Sequence, residues 1–283
     1  MTLTLSGQIE RMVEPYSPFE GRIINIMPRV ISGKDEKEKV VDVPRILISY
    51  AGVIDRRETA PEDVRGAWQK NYICTGDADL CNDQGANLIA LDASFLRELN
   101  PKTRLHQGAA ILSQNQWDEL ATQREKVLIL SAEEVQEAHG KGYIKKDGVW
   151  VPANATVGKV WEGTNTFPGL ARGRNLVSYI QLVAEHSPHS ESLLNVYFNQ
   201  TKEEGSVTGR LWVARSVDDD SRAGGDNDLY NVSGRLVGVA PEALVAREKV
   251  LEARVSAAHI AGRAYELGEH LWVPVPKTAG AKL

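Results

Sequence analysis

The order of strand-like and helix-like segments narrows the folds open to this chain more than any other feature. β-branched runs cluster near the start and again past the middle, and helix signals gather between and after them. The regular β–α–β alternation of a doubly wound parallel sheet is missing. The expectation is an α+β fold of antiparallel β-hairpins and a meander, with packed helices and a long C-terminal helix. At 283 residues and 42% hydrophobic, the chain can bury a core without staples.

Residues 21–31 and 39–53 are rich in β-branched side chains and flank the polar SGKDEKE, so they read as a hairpin with Pro28 and Pro44 at edge-like positions. Residues 61–68 read as a short helix with Pro61 in its first turn. Asp92 reads as the N-cap of a helix closed by Asn100-Pro101, and Ser113/Gln116 and Ser131/Glu134 form capping boxes. Asp147-Gly148, between β-type residues, suits the positive φ angles of a type I′ turn. Leu176, Ile180 and Val183 share one stripe of a helix over 175–186. Residues 193–240 read as an antiparallel meander, and Pro241 opens the long helix, ending near Leu267.

Residues 158–174 hold four glycines and Pro168 and read as a surface connection. They place the boundary between an N-terminal α+β region, 1–157, and a C-terminal meander plus helix, 158–283. One domain over 1–283 is the alternative.

Three polar clusters could carry chemistry. Asp77, Asp79 and Asp83 lie in the Gly-, Asp- and Asn-rich run 75–85, read as a loop. Asp218, Asp220, Asp226 and Asp228 lie in DDDSRAGGDND, read as a mobile hairpin tip. Either set offers hard oxygen ligands to a divalent cation, although the calcium-loop pattern with its distal Glu is not met. Turn formation accounts for both sets as well. Arg172, Gly173 and Arg174 open a helix after a glycine-bearing loop, a place where free N–H groups and guanidinium charge could receive phosphate. The P-loop and dinucleotide signatures are absent, as is a nucleophile elbow. The histidines stand apart or, at His186 and His189, flank Pro188. The six tryptophans read as core or interface.

The net charge of −5 does not favour a phosphate-driven nucleic-acid binder, unless Arg172, Arg174, Arg210, Arg215 and Arg235 converge on one face. Two cysteines, Cys74 and Cys81, fit a reducing compartment as ordinary thiols. The first residues lack a secretory-signal pattern and no apolar run reaches about 18 residues, so no membrane partner and a cytoplasmic location are expected.

Three functions remain. The first is a non-enzymatic assembly or binding subunit of a larger protein or nucleoprotein complex, with a protein partner or a homo-oligomer docking on the apolar tail of Trp272, Val273 and Val275. The second is an enzyme acting on a phosphorylated or nucleotide-like substrate through Arg172, Arg174 and the Asp77–Asp83 carboxylates. The third is a nucleic-acid-binding module.

Overall fold

The computed structural model describes residues 22–32, 46–188, 190–231 and 235–239. Within them the chain is a mixed α+β structure built on a curled, mostly antiparallel sheet. The long helix opened by Pro241, and the tail with Trp272, Val273 and Val275, lie outside the described residues.

Two strands form the spine: β2 (Ile73–Cys81) and β10 (Val207–Ala214), antiparallel, with Thr208 opposite Cys81 and Ala214 opposite Ile73. Beside β2 lie β3 (Asn87–Ala90) and then the edge strand β6 (Val127–Leu130). Beside β10 lie β5 (Ala109–Leu112) at one end and β11 (Ala223–Gly224) at the other. From β11 the sheet continues through β9 (Ser192–Tyr197), β7 (Lys141–Lys146) and β8 (Val149–Pro152). Two-residue strands complete it. They are β4 (Leu105–His106) against β5, and β12 (Arg235–Leu236), which pairs with β2 in parallel. A separate small sheet joins β1 (Ile46–Leu47) to β13 (Gly238–Val239). Strands from both sides of residue 157 therefore interleave in one sheet.

Both faces of the spine are covered. Ile73, Trp212 and Ala214 face one apolar cluster, while Cys74, Ala78, Leu80, Leu211 and Val213 face the other. The period of two along β2 and β10 assigns every residue between them to a face.

Several expectations hold. A helix runs over Glu62–Lys70, both capping boxes form, and Asp147 and Gly148 take φ of 51° and 84° between β7 and β8. The helix Val177–His186 buries Ile180 and Val183, with Leu176 buried just before it.

Other readings are corrected. Residues 21–31 were expected as a strand, but Ile23–Ser32 is a helix (α1), because Ile23, Ile24 and Met27 recur at helical spacing on its buried side. Of the second run, residues 46–53 are described, and there only β1 is extended. Ser49 accepts from the Gly52 N–H and caps a helix (α2, Tyr50–Thr59), so the expected hairpin does not form. Asp92 caps no helix, and a single 3₁₀ turn covers Ser94–Arg97. Residues 158–174 are not a surface connection: a helix (α3, Ala155–Trp161) enters them, and Phe167, Leu170 and Ala171 are buried. The meander fails as well, because β11 separates β9 from β10 and runs parallel to β9. The cause is Ala223-Gly224, inside the stretch expected as a tip, which returns to the sheet as β11.

Candidate functional site

The run 75–85, expected as a loop, supplies the central strand β2, all nine residues of which are buried. Thr75, Asp77 and Asp79 alternate with Cys74, Gly76, Ala78 and Leu80, so the polar side chains share one face of the sheet. Cys74 and Cys81 are seven residues apart on this strand, about 23 Å at 3.3 Å per residue, which rules out a bond between them. Burial pushes each thiol up to about 12.

Asp77 is fully buried and organises the first polar centre. It accepts from the Tyr50 N–H (2.7 Å), at the start of α2, and from the Asp92 N–H (3.0 Å). Arg172 donates to it at 2.8 Å and grips Asp92 through both terminal nitrogens, at 2.8 and 2.9 Å. Arg172 and Asp92 both adopt positive φ (52° and 50°), backbone that this salt bridge helps to hold. Burial acts to lower Arg172, but the two carboxylates outweigh it and raise it. Burial raises Asp77, with Arg172 and the two N–H groups opposing. Arg174, expected to stand beside Arg172 on a phosphate, instead donates to Asp55 at 3.0 Å. Gly173 has positive φ in the turn between them.

The second centre lies around Asp79. Its carboxyl accepts from Asn87 Nδ2 (2.9 Å) and the Asn199 N–H (2.8 Å). Desolvation pushes it up to about 8, against the opposing pull of Asn87, Asn199 and Arg210. The two acidic stretches meet here. Arg210, nearly buried, donates to the Asp226 carbonyl, to Asp228 (2.8 Å), to Gln107 O (2.6 Å) and to Thr201 Oγ1 (2.8 Å). Asp83 stays apart and accepts from the Gly205 N–H. Asp220 has a left-handed backbone, and its carboxylate accepts from Asn195 Nδ2 (2.9 Å) beside Arg222. Asp218 is an exposed residue of the 3₁₀ turn Val217–Asp219. Among the described residues no three His, Cys, Asp or Glu side chains are grouped to hold a metal ion.

Above Arg210 the chain opens. Arg215, Asp226, Asn227, Asp228, Tyr230 and Asn231 line a cleft of about 390 Å³. The segment that carries these residues is hydrogen-bonded to its surroundings. The Gly225 N–H donates to Tyr197 O (2.6 Å), the Leu229 N–H to Gly108 O (2.8 Å), and Asn227 Nδ2 to Gly224 O (3.2 Å). A Cβ on Gly225 would meet Asp79 Oδ2 at 2.7 Å, so only glycine lets the segment lie against that carboxyl. Tyr230 is 45% exposed, and Arg22 stacks 4.6 Å from its ring centroid. The Ile23 and Ile24 N–H groups, at the start of α1, donate to Asn231 O and Leu229 O. The cleft thus offers carboxylates, amides, one guanidinium and a phenol, within the size range of small-ligand sites.

The five arginines do not form a bare basic face. Arg172, Arg174, Arg210 and Arg215 each face a carboxylate, Arg215 reaching Asp219 at 3.6 Å. Sequence reasoning missed Arg215, Asn227, Tyr230 and Asn231 as cleft residues. The available signal was Gly224-Gly225 followed by Asp-Asn-Asp, a composition that also describes a free tip.

No protein-family profile and no curated protein matches this chain. A solved structure from work titled "Accommodation of massive sequence variation in Nanoarchaeota by the C-type lectin fold" aligns at 14% identity and a TM-score of 0.46. The alignment covers 68% of this chain and 87% of that one.

Proposed function

We propose that this protein is a non-enzymatic binding subunit, and that it recognises its partner through the cleft lined by Arg215, Asp226, Asn227, Asp228, Tyr230 and Asn231. The observation that carries this is the cleft's make-up, with hydrogen-bonding side chains around a half-exposed tyrosine on a floor locked by Arg210. A partially exposed aromatic among polar groups is the composition favoured at recognition sites. The occupant is a polar group, either a small molecule or a polar side chain of a protein partner. The enzyme reading, which needs Arg172 and Arg174 free to take a phosphate, draws no support from two guanidiniums already held by Asp77, Asp92 and Asp55. No described helix is long and apolar enough to cross a membrane.

A screen of polar fragments by ligand-observed NMR tests the proposal. Hits that bind the parent chain should weaken about tenfold with Tyr230→Ala, the scale of a lost aromatic anchor. Tyr230 is a surface side chain, so the variant should keep its melting temperature. Hits that bind Tyr230→Ala as tightly as the parent would remove the cleft from consideration.

A further inference from the structure

Asp79 lies against Gly225, next in the chain to the segment that lines the cleft. Its Oδ2 occupies the space that a Cβ of Gly225 would need. Its neighbour Arg210 holds the Asp226 carbonyl and the Asp228 carboxylate, both on the cleft wall. The groups facing Asp79 are few. Its own strand offers Cys81 and, two residues back on the same face, the Arg172-paired Asp77; β10 offers Arg210, and the 225–228 segment offers Asp226. β3 contributes the neutral Asn87, and the Asn199 stretch contributes a backbone N–H. His139 packs against Tyr197 and Phe198, and its Nδ1 accepts from the Phe198 N–H.

We propose that proton binding at Asp79 regulates the cleft: the neutral carboxyl leaves Arg210 committed to Asp228 and the Asp226 carbonyl, and the ionised carboxylate competes for Arg210 and repels Asp226. This rests on the reading of the cleft as the recognition site. The neutral form keeps residues 225–231 in the arrangement described, and ionisation loosens them. The transition falls where Asp79 titrates, at about 8. Cys81 is pushed up to about 12 and stays a thiol, while burial lowers His139 so that it is already neutral. Because the folded value lies above the ordinary 3.8, the native state holds this proton more tightly than the unfolded chain. The stability contributed is complete below 3.8 and is lost as pH rises through about 8.

Carboxyl-carbon and amide NMR on the full chain, with no ligand added, tests this from pH 5 to 9.5. The Asp79 carboxyl carbon should titrate near 8, and the amides of Gly225, Asp226, Asn227 and Asp228 should shift with the same midpoint. In Asp79→Asn those amide shifts should vanish. An Asp79 carbon titrating near 4, or cleft amides that do not follow it, would overturn the proposal, and both are read on the parent chain even if the variant fails to fold. The binding reading fails separately: a cleft that titrates with Asp79 yet captures no fragment would defeat recognition and leave the proton coupling standing.

Discussion

Arg57→Met is expected to destabilise the fold by roughly 3–5 kcal/mol, a loss that marks a buried polar network left unsatisfied. Arg57 is fully buried, and among the described residues its partners are all neutral. It donates to the carbonyls of Trp68 (3.0 Å), Asn71 (3.2 Å) and Ala214 (3.2 Å), and to the hydroxyls of Tyr179 and Ser221, both at 2.8 Å. Methionine fills much of the same volume, so packing is largely conserved and the lost hydrogen bonds dominate. The three carbonyls, drawn from the α2-following helix, the turn after it and β10, would then face one another without a donor. Ser221 has φ of 51°, and Tyr50 and Tyr179 both reach it, so its backbone loses a constraint as well. At about 2–4 °C per kcal/mol for a chain of this size, the melting temperature should fall by about 10 °C. Denaturant unfolding checks this, and a loss below about 1 kcal/mol would show that the network is not a structural keystone. Arg57→Lys should recover only part, because one ammonium cannot reach five acceptors.

The second large effect is expected at Arg172. Its removal in Arg172→Ala strands Asp77, a fully buried carboxylate, and should cost about 3–5 kcal/mol. The deficit carries a pH signature. Without the guanidinium the Asp77 pKa rises further, so its ionisation penalises the folded state over a wider range. The variant should therefore be weakest at pH 8 and regain stability as pH falls toward 4 and the carboxyl takes up its proton. Adding Asp77→Asn should restore part of the loss at pH 8 and little at pH 4. Urea unfolding at the two pH values decides it. A loss independent of pH would mean that Arg172 acts through packing of its turn and not through Asp77.

How much of this could be read from the residues depends on what sets each element. Local chemistry was legible. Ser113/Gln116 and Ser131/Glu134 fix helix starts through their own side chains, and Asp147-Gly148 fixes a turn through its own φ preferences. The α+β class followed from the segment order. The candidate site was less legible, because its elements are set by partners distant in sequence. Asp77 and Asp79 look like turn residues until Arg172, 95 positions away from Asp77, and Asn199, 120 away from Asp79, are brought beside them. The period-two pattern of Thr75, Asp77 and Asp79 against Cys74, Ala78 and Leu80 was present in the sequence, but a strand with buried carboxylates runs against the usual reading of Asp as a strand breaker. The same holds for DDDSRAGGDND. Its charge suggested exposure, whereas Ser221, Ala223 and Asn227 are buried. Arg172 and Arg174 were singled out for external anions, and the protein uses them on internal ones. Tyr230 and Asn231 were read into a strand by the β-type run that they begin, because a surface cleft has no periodicity of its own.

The charged clusters around Asp77 and Arg172 are tied into the fold, and recognition is proposed at the Arg210-supported cleft. Crystals soaked with a library of polar fragments, including phosphate-bearing ones, test it most directly. Bound density is expected against Tyr230, Asn227 and Asn231, with Arg172 still on Asp77 and Asp92 and Arg174 still on Asp55. Phosphate-bearing fragments seated on Arg172 and Arg174, with those two side chains released from their carboxylates and the cleft empty, would contradict it.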